Sequence, residues 1–455
     1  DDWNGSSDTE VLLKAIECWG IDIALGKTIG MFAFALWDSD NFELTLVRDR
    51  FGEKPLYYGY QDGRFIFGSE LKVLKDYPNF KYSINKTAVH EYTRLGYIPA
   101  PLSIYDNISK LPPGTKLSIS MTEIVGNISP TLTAYWSLKS KKNTKSDNFR
   151  SSELTDASDL DELDLILRRT IERQLISDVP VGVFLSGGTD SSLVASIMQS
   201  ISKDPILSFS IGFEDDNFNE AKYAKDIADY LGSSHRELYV SDAQLLEVVP
   251  LLSTMFDEPF SDSSQIPTFL LSRLAREDVT VVLSGDGADE LFLGYNRYLA
   301  ASRWYKKVIW LPLPFRRLVS AIVRFFPIKA LASVFNVSSR PIGSISSKIE
   351  KIFRVVNARN LGDFYRLCIE KWPSEAPASS DVKFKKEEVI TRYRHINSID
   401  DMAAQDVYSY LSDGVLVKVD RASMANSLEV RAPFLDHKIA EFSERLSSSQ
   451  KIKSN

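Results

Sequence analysis

An α/β fold in two parts is what this sequence predicts: a sheet-rich N-terminal domain, then a doubly wound domain built on a parallel sheet. Three observations predict it. Before about residue 137, short apolar stretches alternate with polar residues and are separated by Asp, Gly and Asn clusters, the texture of hairpins. From 138 to 159 the sequence (LKSKKNTKSDNFRSSELTDASD) is rich in Ser, Lys and Asp and reads as a linker. From residue 160 onward, apolar runs of strand length alternate with helical patterns, as a parallel sheet with helices on its faces requires.

Taken in order, the N-terminal strands are Met31 to Trp37, Phe42 to Leu46, Leu56-Tyr57-Tyr58 and Arg64 to Phe67. The second domain predicts helix 160–177, strand 181–185, helix 191–202, strand 206–212, helix 219–231, strand 236–240, helix 265–276 and strand 279–284, with mostly helix beyond 300. The domains are therefore expected at 1–137 and 160–455. The basic, aromatic stretch 304–326 is broken by Pro312 and Pro314 and is expected to be a surface-helical region rather than a membrane-lying one.

Composition narrows the function. With 455 residues and 44% hydrophobic content the chain can bury substantial cores. A formal net charge of −7 and a pI near 5.4 argue against a general nucleic-acid binder. Cys18 and Cys368 form no CxxC; both are expected to be small core residues, Cys18 because it falls within the apolar helical pattern of Val11 to Trp19. No signal peptide and no run of about 18 apolar residues is visible, so a cytoplasmic protein is expected.

Chemistry concentrates in two loops. VFLSGGTDSSLV (183–194) places two glycines and several hydroxyls between an apolar strand and a helix. A helix N-terminus offers unpaired N–H groups and partial positive charge, and glycines let an anion approach, so phosphate is the natural guest. Asp190 would repel a bare phosphate, which makes a Mg²⁺-bound polyphosphate the expected ligand. VVLSGDGADELF (281–292) repeats the pattern: a buried strand running into Ser284-Gly285, then Asp286, Asp289 and Glu290. Both loops lie beyond the carboxyl ends of strands, where doubly wound sheets bind their ligands. Gly26-Lys27-Thr28 is a decoy, because the spacing from Gly20 is one residue too long for a phosphate loop and strand rather than helix follows.

SGGTDSS (186–192) resembles the pyrophosphate loop of ATP pyrophosphatases. LSGDGADELFLGYNRY (283–298) and SLEVRAPFLDH (427–437) resemble the synthetase domain of glutamine-hydrolysing asparagine synthetases. Ser7-Asp8-Thr9-Glu10-Val11, Gly30 to Phe34, RDRFGEKPLYY (48–58), Phe67-Gly68-Ser69-Glu70 and Leu111-Pro112-Pro113-Gly114 resemble that family's class II glutamine amidotransferase domain. The resemblance implies a partial αββα glutaminase domain of the Ntn-hydrolase type followed by a pyrophosphate-loop domain.

It also implies roles. Leu185, Ile211, Ser284 and Gly285 would line the adenosine of ATP, and Ser186, Gly187, Gly188, Asp190, Ser191 and Ser192 would hold the leaving pyrophosphate. Asp190 and Asp289 would hold Mg²⁺. Asp286 stands where the family has an acid tied to aspartyl-adenylate formation. Tyr295 and Glu429 resemble an acid/base pair of related amide-forming synthetases, although Tyr295 could instead only pack and Glu429 could instead pair with Arg431. Asp8 would bind the α-amino group of glutamine. The implied partners are small molecules (aspartate, glutamine or ammonia, ATP), without nucleic acid or stable membrane insertion, and a homodimer is allowed. The family's nucleophilic N-terminal cysteine and its C-terminal cations have no counterpart in the sequence, so truncation at both ends and a lack of glutaminase activity are expected. Two other functions stay open: amidation of a different carboxylate, and a non-catalytic ATP-binding module.

Overall fold

The computed structural model describes residues 3, 5–138, 156–213, 219–324, 354–372 and 393–452. Most of the expected linker lies outside them. By its internal contacts the chain divides into two compact units, one formed by 1–92, 96–288 and 407–446, the other by 93–95, 289–406 and 447–455.

Among the described residues the first unit contains three sheets. Strands β1 (Ala33–Asp38), β2 (Glu43–Arg48), β6 (Thr115–Ser120) and β7 (Thr131–Ala134) form an antiparallel sheet in that order. Strands β3 (Tyr57–Gln61), β4 (Arg64–Gly68) and β5 (Ile108–Lys110) form a second, ordered β4-β3-β5. The strict alternation on β6, with Thr115, Leu117 and Ile119 buried, fixes its register against Leu46 and Leu44 of β2. Leu44, Leu46, Leu56, Tyr58, Leu111, Leu117 and Ile119 form one core between these strands.

The third sheet is parallel and five-stranded: β8 (Val181–Phe184), β9 (Leu207–Phe213), β10 (Ser234–Val240), β11 (Val281–Leu283) and β12 (Glu429–Arg431), in the order β10-β9-β8-β11-β12. The central strands β8 and β11 read as continuous apolar runs, as expected of strands covered on both faces, whereas β9 alternates apolar residues with Ser208, Ser210 and Gly212. The helices Asp156–Gln174, Thr189–Ile201, Ala221–Leu231 and Gln265–Arg276 follow the expected order. The helix expected at 191 starts at Thr189, with Gly188 as its N-cap, so Asp190 stands in the first helical turn.

The second unit is helical among its described residues, and Leu293, Tyr298, Ala301, Tyr305, Phe364, Tyr365 and Met402 belong to its core. Buried Asp406 anchors it, accepting from Arg297 Nε at 2.8 Å and from Tyr365 Oη at 2.6 Å, and also from the Tyr298 hydroxyl. In the basic aromatic stretch, Trp310, Phe315 and Leu318 are exposed around the Leu313–Arg324 helix. No helix of the described residues is long and apolar enough to cross a membrane.

Cys18 corrects an expectation. It is exposed, because the Asp8–Trp19 helix buries none of its residues, and Val11, Leu13 and Trp19 are exposed with it. Cys368 is partly buried and packs on the second unit's core.

Candidate active site

Two loops that lie about a hundred residues apart in sequence meet at the carboxyl ends of β8 and β11. A Cβ built on Gly285 would stand 2.8 Å from Ser191 N and 3.1 Å from Asp190 C, so the second Ser-Gly turn lies flat against the first turn of the Thr189–Ile201 helix. Only glycine permits that approach. Gly187 (φ +80°) packs equally tightly on Tyr223 and Ala224 of the Ala221–Leu231 helix. A cavity of about 330 Å³ opens between the loops. Its lining includes Leu185, Ser186, Gly188, Asp190, Ser191, Ile211, Ser284, Gly285 and Asp286, all expected from sequence. Ser192 lies on the same turn, its hydroxyl donating to Gly188 O at 2.6 Å.

The loop is preorganised. Ser191 Oγ accepts from Ser186 N at 3.2 Å and lies 2.9 Å from Ser186 Oγ, which draws the loop over the helix N-terminus. Gly188 caps the thirteen-residue helix without a side-chain acceptor, and a helix N-terminus of this kind suits an anion. Hydroxyls and N–H groups suit phosphate oxygens, and the carboxylate of Asp190 suits a divalent cation carried with them.

SLEVRAPFLDH has a structural reason to be where it is. Glu429 N donates to Thr280 O and Ser284 N to Arg431 O, both at 2.9 Å, so β12 brackets β11 and sets where Ser284 leaves the sheet. Leu435 then backs Gly287, whose missing Cβ would clash with it at 2.4 Å. Asp436 caps the His437–Arg445 helix and accepts from Thr170 Oγ1 at 3.0 Å. Glu429 itself accepts from Arg431 Nε at 2.6 Å.

Asp289, Glu290 and Tyr295 belong to the second unit. Tyr295 donates to Glu290 Oε1 at 2.7 Å, and its ring lies 3.9 Å from the Arg297 guanidinium. Burial pushes the Glu290 carboxyl up to about 7, with the Tyr295 hydrogen bond opposing the rise. Both members of the expected acid/base pair thus have protein partners. Asp8 is exposed in the first turn of the Asp8–Trp19 helix.

The N-terminal motif RDRFGEKP is a self-bracing turn. Buried Asp49 accepts from Phe51 N, Glu53 N and Lys54 N, and Arg48 donates to the carbonyls of Gly52, Lys54 and Leu111. The turn places Glu53 where burial and Asp49, and to a lesser degree Asp420 and Asp286, hold its carboxyl well above the usual range, with Lys54 opposing the rise. Lys54 pairs with Asp420 at 2.9 Å. Arg421 Nη1 meets Glu70 at 2.6 Å, and its Nη2 meets Ser69 O and Asp257 at 3.0 Å each. These contacts fasten the antiparallel sheets to the elements of the parallel one.

Residues 162–455 match the family model described as asparagine synthase, and residues 1–136 match that of a glutamine amidotransferase domain. The chain belongs to the asparagine synthase family. It is similar to a putative glutamine-hydrolysing asparagine synthetase of Mycobacterium tuberculosis, at 31% identity over 98% of this chain and 65% of that protein. A second relative is the putative asparagine synthetase 2 of Methanocaldococcus jannaschii, at 32% identity over 94% and 78%. Asparagine synthetase 1 of Bacillus subtilis is 30% identical over 99% and 67%. The chain therefore spans about two thirds of the length of several of its relatives. Its parallel sheet and antiparallel sheets are those of a pyrophosphate-loop domain and an Ntn-type amidotransferase domain.

Members of the site not expected from sequence are Phe184, Ser210, Phe213, Glu220, Ala221 and Leu271. A signal existed for Ser210: on β9 the alternation Ser208, Ser210, Gly212 marks a small, polar face within an otherwise apolar strand.

Proposed function

We propose that this asparagine synthase family chain activates the β-carboxylate of aspartate with ATP and transfers ammonia to it, making asparagine, with glutamine hydrolysis supplying the ammonia in the whole protein. The observation that carries this reading is the packing of Gly285 on Asp190 and Ser191, which joins two Ser-Gly loops around one cavity.

A carboxylate is a poor acyl donor near neutral pH. Its oxygen attacks the α-phosphorus of ATP, the bond to the bridging oxygen breaks, and β-aspartyl-AMP and pyrophosphate result. The helix N-terminus with Ser186, Gly188 and Ser191 binds the pyrophosphate and stabilises charge growing on it; one such donor is worth roughly 10²–10³ in rate. Mg²⁺, when bound through Asp190, neutralises part of that charge. Leu185, Ile211 and Ser284 seat the nucleoside, and Asp286 lies at the acceptor. Ammonia then attacks the acyl carbon, AMP leaves, and the surplus proton passes to a nearby carboxylate or water. Free ammonia is mostly protonated near neutral pH, so a domain that makes it beside the acyl-adenylate meets a chemical need.

Pyrophosphate release with Mg·ATP and a panel of carboxylic acids tests the reading. Aspartate should stimulate release more than glutamate or a uronic acid, and Asp190→Ala should abolish it while leaving the thermal unfolding midpoint unchanged. Stimulation by a sugar acid alone would move the acceptor to another carboxylate. Full turnover by Asp190→Ala would remove the cavity from the mechanism.

A further inference from the structure

The chain is acidic as a whole, with 61 Asp and Glu against 54 Lys and Arg, yet from Leu291 to Ile349 it carries ten Lys and Arg and no acid. Two of the ten are bonded inward. Arg297 pairs with Asp406 at 2.7 Å, and Arg316 donates to Leu311 O at 2.9 Å and to the carbonyls of Val356 and Ala358 at 2.8 Å each. Arg303, Lys307 and Arg317, by contrast, are exposed. Asp363, whose charge reaches the Tyr305 hydroxyl of this stretch, is itself paired with Arg366 at 2.7 Å.

The Leu313–Arg324 helix is turned inside out. Its buried side is polar: Arg316 and Ser320 stand one turn apart, and Ser320 Oγ accepts from Asn357 Nδ2 at 3.1 Å. Its exposed side is apolar, with Phe315 and Leu318 three residues apart on one face. The turn before the helix adds Ile309, Trp310 and Leu311, of which Trp310 is 86% exposed. The prolines that interrupt the stretch therefore leave its apolar residues at the surface, around the corner between the helices Lys306–Ile309 and Leu313–Arg324. Large apolar side chains standing in water beside exposed cations, within one short stretch, mark a binding surface.

An occupant that takes both features must be negatively charged outside and apolar within. An anionic bilayer is built that way: tryptophan and aliphatic side chains enter the boundary between headgroups and acyl chains, while Lys and Arg stay among the headgroups. We propose that this corner docks the chain on an anionic lipid surface, with Trp310, Leu311, Phe315 and Leu318 at the headgroup boundary and Arg303, Lys307 and Arg317 facing the headgroups. The rest of the sequence carries the surplus of acid and is repelled by the same surface, so the orientation that presents this stretch is the favoured one. The docking is peripheral, in keeping with the absence among the described residues of any helix able to cross a membrane. It stands whether or not the amidation reading holds.

Flotation with vesicles of phosphatidylcholine and phosphatidylglycerol in equal parts, against phosphatidylcholine alone, tests it. The chain should float with the anionic vesicles, less so as salt is raised, and each of Arg303→Gln, Lys307→Gln and Arg317→Gln should lower the affinity about fivefold. Trp310→Ala should lower it about tenfold, and Trp310→Phe should retain most of it. Because these side chains are exposed, urea unfolding of each variant should match wild type, which separates lost docking from lost fold. Brominated acyl chains should quench the fluorescence of wild type more than that of Trp310→Phe. No flotation, equal flotation with both vesicles, or wild-type flotation of Trp310→Ala overturns the proposal. Lipid-free dimerisation that Trp310→Ala abolishes would assign the surface to a second copy, and binding of single-stranded DNA in preference to anionic vesicles would assign the cations to nucleic acid; either overturns it. Protection of Trp310 from acrylamide in the lipid-free chain would mean that the chain's own residues cover the face, and overturns it as well.

Discussion

Gly285→Ala isolates the step at which the fold makes the proposed nucleotide site. The new Cβ would stand 2.8 Å from Ser191 N, 3.1 Å from Asp190 C and 3.2 Å from Asp190 Cβ, and two of those three atoms are backbone of a helix that cannot swing aside. Restoring ordinary contact near 3.4–4 Å requires the loops to part by roughly half an ångström or more, a strain on the order of 1–3 kcal/mol for an overpacked site. The larger effect falls on function, because displacements approaching 1 Å in a catalytic constellation can cost about 10²-fold. Gly26→Ala supplies the control: it lies in the Ile21–Lys27 helix, away from the cavity lining, and its Cβ would meet nothing within 4 Å. Titration of both variants with Mg·ATP, alongside urea unfolding, should show nucleotide affinity falling at least tenfold in Gly285→Ala and little change in Gly26→Ala. Wild-type affinity in Gly285→Ala, or equal loss in both variants, would refute the argument that this packing builds the site.

Three further outcomes follow from buried charge. Arg421→Ala should destabilise the first unit by about 3–5 kcal/mol, because it leaves Asp257 and Glu70 without their shared cation; urea unfolding within 1 kcal/mol of wild type would count against that role. Asp49→Ala should lower the unfolding midpoint and speed proteolysis within 48–55, since the backbone N–H groups of Phe51, Glu53 and Lys54, and that of Phe32, lose their common acceptor. Glu290 should make stability fall with pH: its carboxyl, near 7 in the folded chain against 4.5 in the free residue, keeps its proton on folding, so stability decreases as pH rises from about 4.5 to 7, by about 3 kcal/mol at most. The wild-type minus Glu290→Gln stability difference, measured by urea unfolding across that window, should show this slope; a flat difference would contradict it.

How much of this was legible in the sequence depended on how local each feature is. The strands β8 and β9 and the helices after them are set by apolar runs and glycine punctuation within a dozen residues, and the expected bounds agree with the observed ones to within a few residues. The two Ser-Gly loops were legible for the same reason, since strand-end glycines beside hydroxyls and acids have few other uses. Cys18 misled because a helical apolar pattern reports a face able to be buried and not whether anything covers it. Strand β12 was invisible: three residues have no period, and its pairing with β11 spans well over a hundred positions. Yet that pairing completes the site. The helix Leu416–Met424 holds Arg421 against Glu70 and Asp257, and the chain passes from it within a few residues into β12. There the Arg431 carbonyl fixes Ser284, and Leu435 backs Gly287. The LEVRAPFLD stretch thus acts through backbone register and one leucine, while Glu429 pairs with its own neighbour. A sequence motif marks where chemistry needs the chain to be, and in this segment most of its residues hold the chain there rather than touch what is bound.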